Sequence, residues 1–468
     1  MEAPRLLVEL PATYGRERSH AARAVLEDLL GYQTRIVRGR GPFTSVRPEG
    51  SGNRSLRITD GLFTTPSATW LTAASLPTEP LGVRAVHDEL PEARVVSRPL
   101  PVLFPTGHRG PLLHAGEGDS TATLELDVFG VPFFTLTRYE EVADARAGKD
   151  RYGRFPATAS LAHRAGFLDR PIADEYAEVL GAALRRVWPG LPTRRERSAV
   201  WLTHDVDRPF LARGKSLPEV VRASAGDIRR RRSPPLAGRR LRAYARPNQD
   251  DPVDTFDFLM DVAERAGVRS TFTFLAGGAA PQDGRYSLDD PSIQMLLRRI
   301  HARGHELGFH GSFRAFDDGE QVRAEFDALR GAVERLGIHQ PQWGGRQHYL
   351  RWHNPTTWQA WNDAGLTFDS TVGFADQPGF RSGSCRAHRV FNLAERRELP
   401  FIERPLTLMD TTISTYLRLD AAETEARVDR LATACRTVGG TFVLLWHNDA
   451  VLTPQSRRLY ERVVERLA

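Results

Sequence analysis

Two patterns of apolar and polar positions divide the chain. Up to about residue 195, short apolar stretches such as Arg5–Leu10 and Gln33–Arg38 alternate with loops rich in Gly, Pro and Ser. Thr121 to Phe129 reads as extended chain that meets a turn signal at Gly130-Val131-Pro132 before a second apolar run, Phe133 to Arg138. Asp174 to Trp188 carries Val179, Leu180, Ala183 and Leu184 at helical spacing and stops at Pro189-Gly190. Residues 1–195 are expected to form an α+β accessory domain, with the polar stretch Gly190 to Arg197 as the linker.

From Ala199 on, strand and helix patterns alternate, which predicts βα units and a largely parallel sheet. Helices are predicted over Asp254–Ala266, Pro291–Arg303, Glu320–Leu336, about 422–438, and after Thr453-Pro454, with a further one after Asn354-Pro355. Between them lie strand-like runs that end at Leu275, His310, Arg346, Asp369, Ile402, Asp410 and His447. About seven such units, closing on themselves, predict an irregular (β/α) barrel over residues 196–468.

The apolar run Ala199 to Leu202 feeds into His204, Asp205, Val206 and Asp207, and Pro209 ends the strand. Side chains two apart on a strand share a face, so Asp205 and Asp207 converge while His204 turns aside. Two like charges so close need a cation, or one of them must hold a proton. An arbitrary pair of this kind is most often a solvated loop, and a lone His most often a packing residue. Here Asp205, Asp207, His310, Arg346 with His348 and Tyr349, Asp369 and His447 all fall at the carboxyl ends of predicted strands, where such barrels do their chemistry. Together they make the inventory of a metal-assisted hydrolase.

Composition changes this picture little. The 468 residues exceed one ordinary core, and 41% hydrophobic with 26% charged residues is the balance of a globular protein. No window approaches ~18 uninterrupted apolar residues, and Met1 to Leu6 begin no signal peptide. Cys385 and Cys435 stand alone, which suits a reducing compartment, so the cytoplasm is the expected location. A net charge of +6 raises nucleic acid as a partner, but the basic residues lack interleaved aromatics, and none is expected. One dense basic segment, Arg229–Arg232 with Arg239, Arg240, Arg242 and Arg246, reads as an inserted loop or short helices. It is either a solvated insertion or a surface for phosphate or peripheral membrane contact.

The C-terminal part resembles the polysaccharide deacetylases (NodB-like, carbohydrate esterase family four). The resemblance rests on Thr203-His204-Asp205-Val206-Asp207, on Gly304 to His310, on Gly344-Gly345-Arg346-Gln347-His348-Tyr349, and on Leu444-Leu445-Trp446-His447. Arg346 to Trp352 and Phe380 to Arg386 further resemble a subgroup with an extra N-terminal domain of unknown function. The resemblance implies Asp205 as general base, Asp207 and His310 as metal ligands, and Arg346 as the group that holds Asp205 ionised. It further implies that the backbone around Tyr349 helps bind the oxyanion, that His447 is the general acid with Asp369 orienting its ring, and that Trp446 meets substrate.

One departure from the family pattern concerns the metal. A second ligand is expected four residues after His310, and that position is Arg314, which has no lone pair to give and would instead face substrate. His305 lies on the opposite strand face. His348 is taken as the third ligand, with His204 and a water as alternatives. The resemblance thus implies a divalent metal, zinc foremost with cobalt, manganese or nickel as alternatives. The activity it implies is hydrolysis of an N-acetyl group on a sugar, a precursor of surface polysaccharide. A non-catalytic carbohydrate-binding or assembly protein that keeps the fold is the other reading.

Overall fold

Alternation in Arg5–Leu10 turns Leu6, Val8 and Leu10 to a buried face, and this strand, β1, lies inside the first sheet. The structure is a computed structural model and describes residues 5–39, 41–108, 110–115, 121–144, 147–192, 198–213, 216–229, 234–245 and 251–468. The next strands are β2 (Gln33–Arg38), β3 (Thr44–Pro48), β4 (Ser55–Ile58), β5 (Gly82–Arg84), β6 (Leu100–Val102), β7 (Leu113–Ala115) and β8 (Thr121–Leu124). They form a mixed sheet in the order β2-β1-β3-β4-β8-β7, with β5 and β6 as a separate antiparallel pair. The turn expected at Gly130-Val131-Pro132 is instead the first turn of a helix, Gly130–Leu136. The Asp127 carboxylate accepts the Gly130 N–H at 2.8 Å, and Pro132 has no N–H to satisfy, so both residues start the helix.

The second sheet holds β9 (Ala199–Val206), β10 (Ser270–Leu275), β11 (Glu306–Gly311), β12 (Gly344–Gln347), β13 (Phe368–Asp369), β14 (His388–Asn392), β15 (Arg397–Glu403), β16 (Leu408–Met409) and β17 (Thr441–Leu445). Their order is β14-β15-β13-β12-β11-β10-β9-β17-β16, parallel throughout except for β14 against β15. Every residue of β10 is buried, as a parallel strand covered on both faces requires. Leu202, Val206, Phe272 and Phe274 join the apolar core shared with the helices. Thr203, Asp205 and Thr273 alternate with them and give the sheet's other face its polar character. Gly345 lets β12 approach β11, since a Cβ there would overlap the Phe309 carbonyl.

Strand pairing runs as an open order, so the closure of the irregular barrel expected is not seen in the pairing. β15 and β16 stand near opposite ends of that order, yet only residues 404–407 separate them. Within that link the Leu406 N–H donates to the Val372 carbonyl and the Thr407 N–H to the Val443 carbonyl. A single extended segment therefore bonds to both flanks, where a regular barrel would need a helical crossover. The linker expected at 190–197 falls largely outside the described residues. Within the basic insertion Leu217–Arg229 and Pro234–Ala245 are helices, while Arg230, Arg231, Arg232 and Arg246 fall outside the described residues.

The two parts of the chain interlock through buried polar groups outside the sheets. Arg381 donates to Glu141 at 2.9 and 2.7 Å, Arg138 donates to the same carboxylate at 2.8 Å, and Asp174 accepts the Cys385 N–H at 2.8 Å. The run Phe380 to Arg386 is thus the socket for the first part of the chain. Burial would raise the Glu141 carboxyl, but Arg381 and Arg138 outweigh it and hold it below its ordinary value. Glu141→Ala would leave two arginines buried with their charge undercompensated and should cost about 3–5 kcal/mol, read as a lower denaturant midpoint. Because the folded pKa is depressed, this stabilisation should be full above pH 4.5 and fade as the pH falls below it.

Candidate metal and catalytic site

The D-x-D strand end does what alternation requires. Asp205 and Asp207 face the polar side of the sheet, while His204 points into the core, its Nδ1 2.7 Å from the Trp446 carbonyl. Asp205 Oδ1 accepts from Thr273 Oγ1 at 2.7 Å and from Arg346 Nη1 at 3.0 Å. Arg346 is itself held by Thr203 Oγ1 and by the carbonyl and hydroxyl of Ser370. Burial pushes the Asp205 carboxyl up, but the Arg346 guanidinium, with His310 and His447, holds it below the ordinary range.

Asp207, His310 and His348 bring their ligand atoms within 4.8 Å of one another. His310 Nδ1 donates to the Arg346 carbonyl at 2.8 Å, and His348 Nδ1 donates to Asp283 Oδ1 at 2.9 Å. Both rings therefore turn Nε2 toward Asp207 Oδ1, at 3.3 and 3.4 Å. Asp207 Oδ1 and His310 Nε2 are buried and, among the described residues, have no hydrogen-bond partner. Orphaned buried polar atoms are costly, and a divalent ion would satisfy both. Two imidazoles, one carboxylate and a carboxylate behind one imidazole are a donor set that could hold a divalent ion, with an orienting partner for one ligand. His305 stands apart: its Nδ1 accepts the Ser270 N–H at 3.0 Å. A second group, His108, His114 and Glu125, lies on the first sheet and is more exposed.

His447 Nδ1 donates to Asp410 Oδ1 at 2.7 Å, which aims Nε2 at Asp207 Oδ2, 3.8 Å away. Burial lowers the His447 pKa, but Asp410, with Asp207 and Asp205, lifts it well above the ordinary value. The orienting carboxylate is therefore Asp410 and not Asp369. Asp369 accepts from the N–H and hydroxyl of Thr371 beside the buried Glu403, and burial raises it to about 6. Its place is structural because β13 is separated from β17 by the extended link. Trp446 is also misassigned from sequence: its ring packs 5.3 Å from Tyr460 in the core, on the face opposite Asp205. Arg314 is exposed and lines neither cavity at the site.

Tyr349 and Leu350 adopt positive φ values of 62° and 54°, a sharp bend directly after His348. The bend turns Tyr349 into a cavity of about 710 Å³ lined also by Asp205, Asp207, His348, Asp410, Tyr416 and His447. A second cavity of about 590 Å³ shares Asp207, Arg208 and Tyr349 with it. Asp410, Asp283 and Thr273 join the site although none was singled out from the sequence. Asp410 carried a signal, an acid at a strand end; Asp283 sits in a loop and carried none.

Residues 6–189 match a family of unknown function (DUF7033). No curated protein matches the chain. Among solved structures, it is similar to a protein described as a polysaccharide deacetylase from Mycobacterium smegmatis, at 18% identity over 58% of this chain and 84% of that one, with a TM-score of 0.40. It is also similar to Puue allantoinase (14%, 59% and 85%, 0.36) and to a protein described as a polysaccharide deacetylase from Pseudomonas aeruginosa PAO1 (14%, 59% and 86%, 0.36). Likeness at this level leaves the activity to be argued from the chain's own residues.

Proposed function

We propose that the protein is a metal-dependent carbohydrate N-deacetylase. The observation that carries this reading is the pair of buried, unpartnered atoms, Asp207 Oδ1 and His310 Nε2, facing His348 beside a carboxylate and an imidazole that each have a dedicated holder. Asp207, His310 and His348 would hold a divalent ion, which when bound would supply Lewis-acid activation of water and of the amide carbonyl. Asp205 removes the proton from the attacking water; its Oδ1 is committed to Thr273 and Arg346, which leaves Oδ2 for the task. Arg346 keeps that carboxylate charged and fixed. His447, kept protonated by Asp410, delivers a proton from Nε2 to the departing amine. Tyr152, Tyr349 and Tyr416 line the same cavity and offer rings to the apolar faces of a sugar.

The test is acetate release from N-acetylated sugars by zinc- or cobalt-loaded protein. Release should stop on chelation and return with either ion. Loaded protein that binds the sugars yet frees no acetate would favour the non-catalytic carbohydrate-binding reading.

A further inference from the structure

The cleft is not built by the second sheet alone. Arg151, Tyr152 and Arg154, from the part of the chain that precedes β9, line the same 710 Å³ cavity as Asp205, Asp207, His348 and His447. Their segment is fastened at several points. Arg154, only 5% exposed, donates to the Tyr349 carbonyl at 2.8 Å, to the Tyr416 hydroxyl at 2.7 Å and to Asp150 at 2.8 Å. Arg351 donates back to the Tyr152 carbonyl at 2.9 Å, and the Tyr152 ring packs 4.9 Å from that of Tyr349. Two of the residues it grips, Tyr349 and Tyr416, are themselves walls of the cleft.

Charge in this cavity is unevenly matched. Asp205 is paired with Arg346, Asp410 with His447, and Asp449 with Arg208 at 3.6 Å. Asp207 would be taken up by the ion. Arg151 and Arg418 also line the cavity, and among the described residues neither has a carboxylate within ion-pair distance. A neutral N-acetyl sugar would leave both of these cavity-lining charges without an anionic partner.

We propose that segment 150–154 is an integral wall of the substrate site and that the substrate is an N-acetyl sugar carrying a phosphate ester, its phosphate held between Arg151 and Arg418. The sugar in this assignment rests on the proposed deacetylase function; the phosphate and the wall rest on the cavity itself. Nucleotide-linked and lipid-linked sugars share this chemistry.

Calorimetric binding to the zinc-loaded full chain tests it, with no turnover needed. The ligands are uridine diphosphate N-acetylglucosamine, a short-chain prenyl diphosphate N-acetylglucosamine, and neutral tri-N-acetylchitotriose. At least one diphosphate sugar should bind about tenfold or more tighter than the neutral sugar, and the tighter of the two names the carrier. Arg151→Gln and Arg418→Gln, both at exposed positions, should each weaken that ligand about tenfold and leave the neutral sugar unchanged. Tyr152→Ala should weaken all three. An advantage that survives in both arginine variants would place the phosphate on the ion and overturn the assignment, as would equal binding of neutral and phosphorylated sugars. Binding unaffected by Tyr152→Ala would overturn the wall. Arginine-dependent binding without acetate release would count against the hydrolase alone.

Discussion

Replacing Asp207, His310 or His348 by Ala should each lower divalent-metal affinity by at least about 100-fold, while His305→Ala should change it little. Loss of a partner behind a ligand typically costs 10–100-fold, so loss of the ligand itself should match or exceed the upper end. Asp283→Ala belongs to the milder class, because it removes only the carboxylate that orients His348. The three ligands stand equal because each turns one atom to the same point, and two of those atoms have no other partner. Asp205→Asn should keep the metal and abolish turnover, since its committed oxygen already faces Thr273 and Arg346. Competition titration with a zinc indicator reads these affinities, and His114→Ala serves as the control for an ion held at the exposed group on the first sheet. Unchanged affinity in the His348 variant would remove it from the ligand set; equal loss in Asp205→Asn would mean that base and ligand are not separate groups.

What the sequence made legible follows from how local each cause is. Strand alternation needs only the neighbours two residues away, so the shared face of Asp205 and Asp207, and the turning aside of His204, could be read directly. The placement of His348 needed only that it lie close after Arg346 at a strand end. The partner of His447 was different. Asp369 and Asp410 both end strands, and choosing between them requires knowing that β16 lies against β17 while β13 lies across the extended link. That adjacency is set by long-range pairing and leaves no mark in either segment. Trp446 failed for a related reason: it alternates with Leu445 and His447, and only the packing against Tyr460 shows which of the two faces is the core. The interlocking of the two parts was hidden as well, because the residues that make it, such as Glu141 and Arg381, are ordinary charged residues until they are buried together.

Asp410→Asn should lower turnover roughly 10²–10⁴-fold, the range that a positioned general acid contributes, with metal content unchanged. Asparagine keeps the size and can still accept from His447 Nδ1, but it removes the negative charge that chiefly keeps the ring protonated against burial. The imidazole would then reach the leaving amine without a proton to give. Asp369→Asn should leave turnover close to that of the natural protein. Its carboxyl faces Thr371 and neighbours Glu403, and burial already raises it to about 6, so the amide replaces a group that gains little from its charge. The pair of variants therefore separates a carboxylate that acts through His447 from one that only packs beneath the site. Loss of turnover in Asp369→Asn, with Asp410→Asn active, would return the orienting role to Asp369 and require a rearrangement of the segment between β15 and β16.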